Sequence, residues 1–156
     1  MSFEDKWKQL CESPSFDNWV KPSEKDARYE YTREYKYLKG GLSRQFTEDE
    51  WIDMYNKGEV TEITPDMDSG MGYRSHTTSK ESLLGLIRGY SSYPKLRNEK
   101  TVQDIYDGFE NNSPMKMPIV LRYPNGRLRV FGGNTRMDVA NQLDVPIKAI
   151  IVDIPG

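Results

Sequence analysis

The residues best placed to do chemistry lie in one run, Arg127-Leu-Arg-Val-Phe-Gly-Gly-Asn-Thr-Arg-Met-Asp-Val-Ala140. Its order predicts a strand, a two-glycine break and a helix with Arg136 in the first turn. The first N–H groups of a helix have no acceptor within that helix, so a turn of this kind is suited to bind an anion. An arginine there opposes the helix dipole and is best tolerated beside negative charge such as phosphate. The structural alternative is a tight loop whose glycines serve only the turn, with Arg136 paired to a carboxylate.

The distribution of charge agrees with an anionic ligand. Residues 1–73 carry 10 Lys/Arg against 16 Asp/Glu, whereas residues 74–136 carry 11 against 5. The basic stretch contains the glycine turn and suits a nucleotide or nucleic acid, although opposite charges can also simply pair within the fold. With 12% aromatic residues the sequence is not that of a globally disordered chain. No apolar run approaches a membrane span, and Met-Ser-Phe-Glu-Asp lacks the features of a signal peptide. The expectation is a cytoplasmic protein without a membrane partner. Cys11 is the only cysteine and His76 the only histidine, which excludes an intrachain disulfide and a His/Cys zinc site. Asp66 and Asp68 have calcium-loop spacing, but the rest of that ligand pattern is missing.

The positioning elements follow from periodicity. Phe3, Trp7, Leu10 and Cys11 fall on one face of a helix over 2–11. Residues 13–28, with Pro14 and Pro22, read as an irregular connection. Tyr29, Tyr31, Tyr35 and Tyr37 alternate with polar residues across 29–39 and predict an edge strand, with a nucleic-acid stacking platform as the alternative. Thr47 and Glu50 form a capping box before Trp51, Met54 and Tyr55, and Gly58 stops that helix. Residues 59–75 carry Pro65, Gly70 and Gly72 and show no regular period.

Thr78 and Glu81 make a second capping box, before a helix burying Leu83, Leu84, Ile87 and Tyr90. After a loop over 91–98, Thr101 and Asp104 make a third, before Val102, Ile105, Tyr106 and Phe109. Asn111-Asn-Ser-Pro114 ends that helix. Met117–Tyr123, the turn Pro124-Asn-Gly126 and Arg127–Phe131 predict a hairpin. Thr135 and Asp138 cap a helix over about 135–143. The last strand, Ile147–Ile154, with its apolar run Ala149–Val152, is too apolar for an edge and is predicted to be buried, parallel to residues 127–131. The fold class is α/β or α+β: a compact mixed β-sheet with flanking helices, over 76–156, preceded by a mostly helical N-terminal extension over 1–75, the two expected to form one domain.

Pro118-Ile-Val, a hairpin, then Phe131-Gly-Gly-Asn-Thr-Arg136 and Ala140 resemble the ParB/sulfiredoxin superfamily. Its members carry a Gly-x-x-Arg-x-x-x-Ala type motif between a strand and a helix. The match covers roughly residues 76–154. The resemblance implies a nucleotide site lined by Gly132, Gly133, Asn134, Thr135 and Arg136. Sulfiredoxin's catalytic cysteine and neighbouring histidine fall where this sequence has Asn134 and Thr135, which points away from sulfinic-acid reduction. Partitioning members carry a helix-turn-helix domain after this one, and the sequence stops at Gly156, which points away from a segregation clamp. The Gly-Gly-Asn-Thr-Arg form is similar to small phage-borne members that phosphorylate 5-hydroxymethyluracil in DNA. The resemblance implies an ATP-dependent kinase, with ATP or another nucleoside triphosphate, Mg2+ and DNA as cofactors and partner, in the host cytoplasm. The rival class is a non-catalytic nucleotide- or DNA-binding module.

Phosphoryl transfer is largely positioning and charge neutralisation, with a carboxylate to orient or deprotonate the hydroxyl. Arg136 is the expected phosphate-holding charge. Asp138, Glu81 and Asp104 are the candidate carboxylates, and all three are also predicted capping residues. His76 is a candidate phosphate contact. Lys95, Arg97, Lys100, Arg127 and Arg129 are candidates for the DNA backbone. Each of these cations is otherwise a solvated surface charge.

Overall fold

A computed structural model describes residues 16–42, 44–64, 67 and 99–155, side chains at 99–102 and 134 excepted. The predicted helix over 2–11, Cys11, and the predicted helix with its Thr78–Glu81 cap lie outside these residues. In chain order the elements are β1 (Trp19–Val20), α1 (Glu24–Leu38), a 3₁₀ turn (Lys39–Gly41), α2 (Glu48–Asn56) and β2 (Glu59–Glu62). There follow α3 (Glu99–Glu110), β3 (Met115–Lys116), β4 (Ile119–Arg122), β5 (Leu128–Gly132), α4 (Asn134–Gln142) and β6 (Lys148–Asp153). The fold is α+β. The described residues divide into a sheet unit, residues 20–64, 116–133 and 148–155, and a helical unit, residues 16–19, 99–115 and 134–147.

The sheet unit holds a mixed four-stranded sheet in the order β2-β6-β4-β5. β6 runs parallel to β4, with Ile150 opposite Ile119, and antiparallel to β2. β4 and β5 form the predicted antiparallel hairpin. Its turn is closed by Gly126 N–H donating to the Tyr123 carbonyl at 2.8 Å and Tyr123 N–H to the Arg127 carbonyl at 2.9 Å. Gly126 has φ +86°, which only glycine takes without strain.

The parallel partner of the last strand is β4, not residues 127–131. Ile119, Val120 and Leu121 are successive buried residues, so β4 needs cover on both faces and takes an inner position. β5 carries half-buried Leu128 and Arg129 and takes the edge. β2 is a further strand within the unpatterned 59–75 stretch; its pairing comes from β6, about 90 residues away in sequence, and Val60 is left exposed.

Residues 29–39 are helical, which overturns the predicted edge strand, and the helix takes in residues 24–28 of the expected irregular connection. A capping box starts it: Ser23 Oγ accepts from Asp26 N–H at 3.1 Å, and the Asp26 carboxylate accepts from Ser23 N–H at 2.9 Å. Ala27, Glu34 and Leu38 are buried at i, i+7 and i+11, a helical stripe beneath the tyrosine alternation. Tyr31 and Tyr35 stack four residues apart, ring centroids 4.6 Å, as neighbours on one helix face do. Both hold Phe46: Tyr31 Oη donates to its carbonyl at 2.9 Å, and its N–H donates to Tyr35 Oη at 3.0 Å.

The predicted Thr47–Glu50 box opens α2, and the helix stops at Lys57, before Gly58. A Cβ at Gly58 would lie 2.8 Å from Ile150 Cγ2 and 3.1 Å from the Ile151 carbonyl oxygen, so the α2–β2 joint requires glycine. α1 and α2 pack together; α1 also meets β5 and α2 meets β6. Trp51 lies at the centre, its Nε1–H donating to the Ala27 carbonyl at 2.9 Å and its ring 4.8 Å from Phe131. The buried Tyr55 hydroxyl donates to the Pro22 carbonyl, and burial pushes that phenol up to about 12.

In the helical unit, Phe16, Trp19 and Phe109 meet edge to face at 4.9–5.6 Å, and Trp19 Nε1–H donates to the Pro146 carbonyl at 2.9 Å. α3 packs on α4. Ile105, Tyr106 and Phe109 are buried as predicted. Thr101 lies inside α3, which begins at Glu99, so it is not the cap. α4 likewise begins at Asn134, which puts Thr135 at the second helical position and removes the predicted Thr135–Asp138 capping box. Gly133 holds the cap position there. Both helices end in a left-handed residue, Asn112 (φ +52°) and Asp144 (φ +56°). Ser113 N–H donates to the Gly108 carbonyl and Val145 N–H to the Ala140 carbonyl, the Schellman pattern.

Candidate functional site

The glycine turn is built from the end of β5 and the start of α4. Gly132 is the last residue of β5 and is buried. A Cβ on it would lie 2.9 Å from Glu30 Cδ and 3.1 Å from Glu30 Oε2. Gly132 is therefore the surface on which the Glu30 carboxyl group of α1 rests. This gives the first glycine of the motif a packing role within the sheet unit. It also brings a carboxylate to the motif from a residue that no local pattern marks.

Gly133 has φ +89°, a backbone conformation that side chains disfavour, and turns the chain from β5 into α4. α4 is nine residues long and opens at Asn134. Asn134, Thr135 and Arg136 thus occupy its first turn, the location expected for the anion site. Thr135 and Arg136 are half-buried, Arg136 Nε is shielded from solvent, and both side chains are engaged.

Asp138 is 5% exposed, with Oδ2 out of solvent, and is likewise engaged. At about 100° per residue, Arg136 and Asp138 leave the helix on nearly opposite sides, whereas Arg136 and Ala140 share a face. The carboxylate closest to the turn in sequence therefore faces away from Arg136. Asp104 is an exposed residue of α3.

The predicted DNA contacts are dispersed. Arg127 is exposed at the hairpin turn, its N–H donating to Asn125 Oδ1 at 2.9 Å. A strand rise of about 3.3 Å per residue puts it roughly 16 Å from Gly132, at the other end of β5. Arg129 is half-buried along the same strand. Lys100 lies in the first turns of α3. His76, Glu81, Lys95 and Arg97 lie outside the described residues. Arg122, also in the basic stretch, is consumed by the fold: it holds Asp153 with contacts of 2.6 and 3.0 Å, which lowers that carboxyl below its ordinary range.

Among the described residues, no group of three or more His, Cys, Asp or Glu is arranged to hold a metal ion. Among the same residues no helix is long and apolar enough to cross a membrane. No protein-family model matches this chain, and no curated protein or solved structure matches it.

Proposed function

We propose that this protein is an ATP-dependent phosphotransferase of the ParB/sulfiredoxin-like kind, acting on a hydroxyl group, with 5-hydroxymethyluracil in phage DNA as the favoured acceptor. The observation that carries the reading is the Gly133 turn: a glycine at φ +89° opening directly into a helix whose third residue is Arg136. A phosphate at that end gains the helix dipole, first-turn N–H groups and a guanidinium fork. The acceptor rests on the sequence resemblance and on the basic stretch of residues 74–136.

In this reading the acceptor oxygen attacks the γ-phosphorus, its proton passes to a carboxylate, and the bond to the β-phosphate oxygen breaks to release the nucleoside diphosphate. Arg136 and the helix end hold negative charge, while Gly133 lets the backbone approach it. Magnesium accompanies nucleotide phosphates as a hard cation that takes oxygen donors and keeps several waters. When bound, the ion would neutralise phosphate charge.

A second reading, a non-catalytic nucleotide- or DNA-binding module, is favoured by Asp138, a buried carboxylate on the side of α4 away from Arg136. γ-Labelled ATP, offered with unmodified DNA, hydroxymethyluracil DNA and free serine, separates the two. The kinase reading expects label on hydroxymethyluracil DNA, reduced about 100-fold or more by Arg136→Ala under conditions where the variant remains folded. Retained γ-phosphate with intact nucleotide binding establishes the module instead.

A further inference from the structure

α1 sorts its charges. Each acid in it is drawn to one side or held: Glu24 pairs with Arg28 at 3.1 Å, Asp26 with Lys116 at 2.7 Å, Glu30 rests on Gly132, and Glu34 is 6% exposed. Opposite the buried stripe of Ala27, Glu34 and Leu38 lie Lys25, Tyr29, Arg33 and Lys36. At about 100° per residue these four fall within some 40° of the line through Tyr29, with Tyr37 at the flank. Tyr29 is 59% exposed and Tyr37 52%. Arg33 sits over the Tyr29 ring at 5.4 Å and Lys36 over the Tyr37 ring at 5.2 Å. None of Lys25, Arg33 and Lys36 joins an ion pair among the described residues. The inner tyrosines, 31 and 35, are spent on Phe46; Tyr29 takes no part in that packing.

We infer that this face of α1 binds single-stranded nucleic acid. Cations without carboxylate partners complement phosphates, and exposed rings stack unpaired bases that a duplex keeps hidden. From Lys25 to Lys36 the face spans about 16 Å, room for about five stacked nucleotides at roughly 3.4 Å each. The inference stands apart from phosphate transfer: it needs neither ATP nor the glycine turn, and none of its cations is in the predicted DNA set.

The test is fluorescence anisotropy of a labelled 20-nucleotide oligo(dT), without nucleotide, at a series of salt concentrations. Three phosphate contacts give a slope of log K against log salt near −2, from about −0.7 per contact. Lys25→Glu/Arg33→Glu/Lys36→Glu should lower affinity at least about tenfold at low salt and flatten the slope. Tyr29→Ala should weaken binding about 5- to 150-fold, and Tyr29→Phe should restore it. Far-UV circular dichroism checks that each variant keeps its helix. Absent binding at low salt, or binding unchanged by the triple variant, overturns the inference. So does a Tyr29→Ala protein that binds like the parent, which would make the face a plain polyanion surface. Tighter binding of a duplex, or of phosphatidylserine vesicles through the same residues, overturns it too.

Discussion

The two ends of β5 are both glycine turns, and they differ in what becomes of the backbone. At the hairpin end, Gly126 donates to Tyr123, Tyr123 to Arg127, and Arg127 to the Asn125 side chain. These turn donors are used internally, and the space around Gly126 is open to solvent, with no atom within 4 Å of a Cβ built there. At the other end, Gly132 is packed against Glu30 and Gly133 leads into the first turn of α4. A reversing turn consumes its hydrogen-bonding groups; a strand-to-helix turn directs a set of them past the helix end. Positive φ is common to both, +86° and +89°. The element that follows is what differs.

Substitution at the two glycines can break this comparison. Gly133→Ala places a side chain at φ +89°, with a cost of about 1–2 kcal/mol in stability. It should also weaken ATP binding about tenfold or more, read by calorimetry under conditions where the variant remains folded. Gly126→Ala should cost about 1 kcal/mol in a urea melt and leave ATP affinity unchanged. Equal losses of affinity in both variants would show that the two ends do not differ as described. Gly132→Ala sharpens the contrast: its Cβ forces the Glu30 side chain aside, which should cost about 1 kcal/mol in a urea melt through packing alone.

The smallest expected effect lies away from both turns and serves as a control. Lys116 hydrogen-bonds Asp26 and holds its carboxyl down at about 2, against 3.8. A depressed carboxylate stabilises the fold above its unfolded value, and that contribution fades as pH falls from about 4 through 2. The pair is largely solvated, so its contribution is roughly 0.5 kcal/mol. Acid melts of the parent and Lys116→Ala should converge below pH 2 and separate slightly above pH 4.

What was legible in the sequence was local. The Thr47–Glu50 box, the Pro124–Gly126 turn and the apolar run Ala149–Val152 of β6 each declare themselves within ten residues, and each is present in the fold. In α1 two periods compete: tyrosines at 29, 31, 35 and 37 fit a period of two, while the Ser23–Asp26 box and the Ala27–Glu34–Leu38 stripe fit 3.6. Tertiary burial decides between two periods that one sequence can satisfy. The non-local features left no local mark: β2 on β6, β4 rather than β5 beside β6, and Glu30 on Gly132. For the site, the turn and its glycines were legible. The carboxylate that rests on the turn was not, because it comes from a helix about 100 residues earlier.

The central claim is that the Gly133 turn holds the phosphates of a nucleotide. Its most direct measurement is a ¹H–¹⁵N titration with Mg-ATP, following the backbone amides of both glycine turns. The account predicts saturable shifts at Gly133, Asn134, Thr135 and Arg136, with Tyr123, Gly126 and Arg127 unmoved. Saturable ATP binding that leaves residues 133–136 in place would contradict it.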